Sequence, residues 1–306
     1  MEDDTCSLTA SILDYEYENG RRYHAYHAGE YPMPNDEIEQ ERLDMMHHIF
    51  LLTYDGELYR APLPKHVGRA LDVGCGTGIW AMDFADLHTE TEVTATDLSA
   101  IQPGYVPENL HFEIDDAENE WQFGRPFDYV HIRGMGGAIG DWPKLIKQAY
   151  DNLNPGGWIE ILDFEAWAST DDESLPESSA YNQYQVLLNE ASESFGKRMN
   201  ISPLFRQFIQ EAGFTNVAED SRKVPLSPWP SNRKQRKLGR YMQIAMSDSL
   251  EPYALALFTR AMGWNNTMVQ AQLAGVRQDL KNLDYHIYTV AHCVYAQKPL
   301  AGPTAT

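Results

Sequence analysis

The sequence predicts an α/β fold: a doubly wound, mostly parallel, seven-stranded sheet with an N-terminal arm and helical cap insertions. Three observations predict it. Short apolar, β-branched runs alternate along the chain with stretches at helical spacing, the pattern of strands joined by helical crossovers. One such junction is a glycine turn, with Gly74, Gly76 and Gly78 between an apolar run and a helical stretch. Acidic residues follow the next two strands, at the end of an open parallel sheet where ligands bind.

Residues 1–34 are acidic and tyrosine-rich, with Tyr15, Tyr17, Tyr23, Tyr26 and Tyr31, and show no regular element. They read either as an arm held on the surface by its aromatics or as an arm folded over a site. In the second case Arg21, Arg22, Tyr23 and His24 supply the donors. Asn35 is the expected N-cap of a helix with Asp36 and Glu37 in its first turn. Ile38, Met45, Met46, Ile49 and Leu52 give that helix its apolar side, and it should end near Asp55-Gly56. His47 and His48 are adjacent, so they point to different sides of it and read as surface and boundary residues.

Ala70, Leu71 and Val73 form the first strand, and the helix after the glycine turn covers 79–87. Strands follow at 92–97, 110–114 and 127–132. A helix at 141–153 is stopped by Asn154-Pro155-Gly156-Gly157, and a fifth strand covers 158–164. Helices are expected near 180–195 and 202–212 and a sixth strand at 215–219. A mainly helical stretch spans 222–284, and the final strand covers 285–296. In the last helix Val269, Leu273, Val276, Leu280 and Leu283 keep i+3/i+4 spacing. The basic cluster Arg233, Lys234, Arg236, Lys237 and Arg240 reads as the solvated face of a helix. The expected organisation is an arm and cap helix at 1–60, a ligand-binding domain at 61–298 with a helical insertion at 222–284, and a tail at 299–306.

Composition narrows the function. A net charge of −21 over 306 residues argues against binding a phosphate backbone or an anionic membrane surface. Cys6, Cys75 and Cys293 are too few and too scattered for a disulfide framework or a metal site, which fits a reducing compartment. The first ten residues lack the charge and apolar run of a secretory signal, and no run reaches a membrane span. A cytoplasmic protein with no metal is the expectation.

The constellation at the strand ends carries the chemistry. Asp97 closes the second strand nineteen residues after Gly78, where a carboxylate can accept from two ribose hydroxyls. Asp116 follows the third strand, within reach of an adenine amine. Together with the glycine turn they describe a site for an adenosine-containing cofactor. The spacing is G-x-G-x-G rather than the dinucleotide G-x-G-x-x-G, and G-K-[ST] is absent, which excludes a nucleoside-triphosphate loop.

With Asp72 in front, D-x-G-x-G-x-G resembles motif I of the class I S-adenosylmethionine-dependent methyltransferases, a Rossmann-like fold. Longer segments resemble one group, the fungal LaeA-like (TAM-domain) methyltransferases. These are Glu18 to Tyr26, Pro34 to Glu37, Leu71 to Trp80, Asp97-Leu-Ser, Ile101-Gln-Pro103, Glu113 to Glu118, Phe127 to Arg133, Asp141-Trp142 and Pro155 to Glu160. The resemblance implies S-adenosyl-L-methionine as cofactor. It implies that Gly74, Gly76 and Gly78, with Asp72 and Cys75, cradle the methionine part and that Asp97 holds the ribose. Leu98 packs on the adenine, Asp116 and Ala117 recognise its edge, and Tyr23 and Arg133 border the site. The chain departs from the expected pattern at Gly134 to Gly140, unusually rich in glycine. That segment is either a device that enlarges the acceptor pocket or a flexible loop.

Methyl transfer to an oxygen needs a base. His24 and His131 are the candidates, with His286 a weaker third. The acceptor is expected under the arm and the 222–284 insertion, which carries Trp229, Tyr241, Met242, Met246, Phe258, Met262 and Trp264. Family members include tailoring enzymes and global regulators of secondary metabolism. The expected function is O-, N- or C-methylation of a small-molecule secondary metabolite. The alternatives are a nuclear LaeA-type regulator, or a cofactor-binding protein catalysing another step such as a cyclisation. Only sixteen residues, together acidic, precede the resemblance, which favours the compact enzyme.

Overall fold

The computed structural model describes residues 15–18, 20–23 and 33–301. It begins with a hairpin the sequence did not announce, β1 (Glu16–Glu18) against β2 (Arg21–Tyr23), turning at Gly20 with φ +80°. The hairpin docks on helix α1 (Glu37–Thr53). Arg21 grips Asp36 through two bonds of 2.5 and 2.8 Å, and Arg22 reaches Asn35 and Glu37. Asp36, not Asn35, is the N-cap of α1, its carboxylate accepting from Glu39 N at 3.1 Å. The two arginines that the sequence offers as donors to a site are therefore occupied at a helix terminus, where the dipole already favours the Asp36 carboxylate.

Strands β3 (Arg69–Val73), β4 (Glu92–Asp97), β5 (Leu110–Ile114), β6 (Phe127–Arg133), β7 (Leu153–Phe164), β8 (Thr215–Pro225) and β9 (Tyr288–Gln297) form one sheet. Their order is β5-β4-β3-β6-β7-β9-β8. Only β9 runs against its neighbours. The order reverses between β3 and β6, which places the switch point at the glycine turn. Helix α2 (Ile79–Leu87) covers one face with Trp80 and Phe84 against Tyr129. Helices α3 (Trp142–Asn152) and α5 (Phe205–Glu211) cover the other with Leu145, Ile146, Phe205 and Ile209. These side chains are almost wholly buried, and each contributes about 1.5–3 kcal/mol by leaving water.

Helices α4 (Ala180–Phe195), α6 (Arg233–Met262) and α7 (Asn266–Lys281) build a cap with α1. The expected stripe on α7 is buried at Val269, Leu273, Val276 and Leu280, while Leu283 lies past the helix end and is half exposed. The five basic residues at the start of α6 face solvent.

Two boundaries and one burial pattern differ from expectation. Asn154-Pro155-Gly156-Gly157 is not a loop. The chain passes from α3 straight into β7, and Pro155, which has no N–H to give, sits at a register shift, followed by Gly156 at φ +84° whose N–H bonds Lys298 O at 2.9 Å. Strand β8 runs on to Pro225 instead of ending at 219, so the expected helical stretch begins at Arg233. As an edge strand β8 tolerates the polar run Glu219 to Lys223, which hid it from a hydrophobic pattern. Ile38 of α1 is exposed and Glu39, Arg42 and His47 are buried instead, because the helix turns its polar residues toward a cavity.

Candidate active site

The glycine turn is left-handed at three positions, φ +69° at Gly74, +58° at Gly76 and +79° at Gly78, which side chains rarely adopt. Space is closed as well. A Cβ on Gly74 would lie 2.1 Å from the Met135 sulfur, and one on Gly78 2.4 Å from the Phe112 ring. Asp97 organises the turn from β4, its Oδ2 accepting from Gly76 N at 2.8 Å and its Oδ1 from Ser99 N at 2.9 Å. Burial raises the Asp97 carboxyl above the usual carboxylate range against the pull of those two N–H groups. Asn35 donates to the Ser99 hydroxyl at 3.3 Å, tying the start of α1 to the same turn. Asp116 is buried, and its Oδ1 accepts from Glu118 N at 2.9 Å.

These groups face a cavity of about 240 Å³ at the C-terminal ends of the parallel strands. Of the residues singled out from sequence, Asp72, Gly74, Cys75, Gly76, Asp97, Leu98, Asp116, Ala117 and Arg133 line it. Gly78 lies just behind, as the left-handed N-cap of α2. Tyr23 is buried outside the cavity wall, with the Arg260 guanidinium 5.8 Å from its ring centre. His24 lies outside the described residues.

His131 does not line the cavity. Its ring is wholly buried, lies flat on Trp80 with centres 3.6 Å apart, and bonds Asp72 through Nδ1 at 2.7 Å. Sitting inside a strand, its side chain points into the face packed by α2, and no acceptor can reach it there. His286, just before β9, is not among the residues lining the cavity and is bonded to Asp172.

Several residues the sequence reading passed over belong to the same cavity. His47, expected near the surface, is 4% exposed. Arg133 donates to its Nδ1 at 3.0 Å and its Nε2 contacts Asp83 at 3.0 Å. Since a guanidinium only donates, the His47 proton sits on Nε2. Burial and the nearby Arg133 charge push the His47 pKa down to about 3. The same burial lowers Arg133 to about 10, and its guanidinium lies 5.0 Å from the Phe50 ring centre.

Asp163, near the end of β7, takes Gly136 N at 2.8 Å, and burial raises its carboxyl to about 6. The signal for it was an acid near a strand's C-terminal end, the same that marked Asp97. Glu165 bonds His292, which also bonds Glu219, each at 2.8 Å. Glu39 and Arg42 form a buried ion pair, with Arg42 also donating to Ser249 at 3.3 Å. In the 134–140 segment a Cβ on Gly136 would lie 2.9 Å from Met199 O and one on Gly137 3.0 Å from the Met199 side chain, whereas Gly134 has open space around it. Gly134 and Gly136 both line the cavity.

Residues 45–219 match the family model described as a methyltransferase domain. A phosphoethanolamine N-methyltransferase of Haemonchus contortus, solved with S-adenosylhomocysteine, superposes with a TM-score of 0.50 at 16% identity, covering 96% of this chain and 73% of that one. The fold and site thus define a class I S-adenosylmethionine-dependent methyltransferase. Methyltransferase pytC of Aspergillus terreus is 38% identical over 97% of this chain and 92% of its own length. The secondary metabolism regulator laeA of Aspergillus fumigatus is 38% identical over 93% and 77%, and the protein-methionine methyltransferase laeA of Emericella nidulans 35% identical over 94% and 77%. The chain belongs to the LaeA-like methyltransferases of fungi. Its cavity fits the cofactor: the glycine turn leaves backbone bare where any side chain would intrude, and a buried carboxylate oxygen of Asp72 has no protein partner.

Proposed function

We propose that this enzyme methylates a small-molecule secondary metabolite held between the sheet and the helical cap. When bound, the cofactor supplies a sulfonium methyl group for in-line displacement. Gly74, Gly76 and Asp72 would receive its methionine part, Asp97 the ribose, and Leu98, Asp116 and Ala117 the adenine. The observation that carries the choice of acceptor is the continuation of the cavity away from the glycine turn. Phe50, Phe164, Tyr184, Met242, Met246 and Tyr253 wall that half, the apolar surroundings with a few polar groups typical of small-molecule sites. Two carboxylates, Asp163 and Glu165, stand in the same wall, so a base for an O–H or N–H acceptor does not depend on His24 or His131.

The second reading, a protein acceptor, is favoured by relatives of comparable identity that carry regulator and protein-methionine methyltransferase names. One experiment separates the two. The purified enzyme is incubated with methyl-labelled S-adenosylmethionine and a fungal metabolite extract. Label in the small-molecule fraction is expected, and label confined to protein would overturn the proposal. Asp97→Ala, which removes the acceptor of the Gly76 and Ser99 N–H groups as well as of the ribose, should lower cofactor affinity by roughly 100-fold or more in calorimetry. Unchanged affinity would refute the cofactor assignment.

A further inference from the structure

We propose that His131 is a positioning residue that aims the Asp72 carboxylate at the α-ammonium group of the cofactor. The two residues face each other across paired strands, Asp72 on β3 opposite His131 on β6. Asp72 is 3% exposed and stands in the cavity wall. Its Oδ1 is taken by His131 Nδ1 at 2.7 Å, while its Oδ2 is buried without a protein partner. A desolvated carboxylate oxygen left unmatched is costly, and Asp72 belongs to the wall of the cavity that would receive the cofactor.

A carboxylate only accepts, so Nδ1 of His131 carries the proton and Nε2 is bare. That nitrogen is itself buried and unpartnered, and burial holds the ring's pKa below the ordinary histidine value despite Asp72. The Trp80 ring, 3.6 Å away and inclined by 6°, fixes the imidazole plane and with it the direction of the Nδ1–H bond. This arrangement gives the buried histidine a function without contact to the acceptor: it spends its one donor on one carboxylate oxygen so that the other is presented to the ligand.

Two ligands separate this role from simple packing. S-Adenosylhomocysteine carries the amino acid, whereas 5′-deoxy-5′-methylthioadenosine keeps the adenosine and thioether without it. His131→Phe keeps the stack on Trp80 and loses the donor. It should weaken S-adenosylhomocysteine binding in calorimetry by roughly 10- to 100-fold, the weight of one charge-assisted bond. Its affinity for methylthioadenosine should stay within about twofold. His131→Asn, whose amide nitrogen falls near the place of Nδ1, should restore most of the lost affinity. Equal weakening of both ligands, unchanged S-adenosylhomocysteine binding, or no rescue by His131→Asn would overturn the proposal. Asp72→Asn tests it separately should His131→Phe not fold. It preserves volume and removes the charge, so it must weaken S-adenosylhomocysteine alone, and a loss shared by both ligands again refutes the idea.

Discussion

Glu160 offers a test of the sheet's interior in which the sign and size can be worked in advance. It lies on β7, wholly buried, beside His131 in the cross-strand register. Its Oε2 accepts from Arg60 N at 2.8 Å and Ala61 N at 2.6 Å, and the Cys293 thiol lies beside the carboxyl. Burial raises its carboxyl from 4.5 to about 7, the two N–H groups opposing. A folded-state pKa above the unfolded one means that the folded state holds the proton more tightly. The stability is present in full below pH 4.5 and is lost as pH rises through about 7. A rise from 4.5 to about 7 corresponds to about 3 kcal/mol. Glu160→Gln imitates the protonated carboxyl: its amide oxygen can take both N–H groups and it carries no charge at any pH. Urea unfolding of both proteins at about pH 5 and about pH 8.5 should show near-equal stability at the lower pH and an advantage of up to about 3 kcal/mol for the variant at the higher. A difference between the proteins that stays constant across pH would refute the desolvation argument.

Two further outcomes are expected. Gly78→Ala must hold a side chain at φ +79° with its Cβ 2.4 Å from the Phe112 ring, so it should lose about 2–4 kcal/mol of stability in denaturant and weaken cofactor binding with it. Equal stability would mean that the turn has room the geometry denies. For His292, burial opposes its charge, yet the bonds to Glu165 and Glu219 carry its pKa above 6.5. That stabilisation is complete below pH 6.5 and fades as pH rises through the raised value. The thermal cost of His292→Gln should therefore be larger in mildly acidic than in alkaline buffer, and a cost independent of pH would rule out the ionic bridge.

How much of this was legible beforehand differs from residue to residue. Gly74, Gly76, Gly78, Asp97 and Asp116 could be placed because each stands at a strand end, and strand ends follow from apolar periodicity that local sequence carries. The LaeA-like resemblance rested on the same local segments. Strand β8 was cut short and the β1–β2 hairpin unseen because neither has a buried face of its own to imprint a period of two.

What the sequence determined by itself was the alternation of strands and helices, the bare glycine turn and the acids beside it, and through them the methyl donor. Only the tertiary structure decided the partners. Asp72 meets His131 because β3 and β6 pair in that register. His47 meets Arg133 and Asp83 because α1 crosses the strand ends, and Glu165 meets His292 because β9 returns antiparallel. Each is a contact between residues far apart in the chain. Register and crossing angle arise from the summed packing of whole elements, so nothing in the local pattern around His131 or His47 records which group will lie against it.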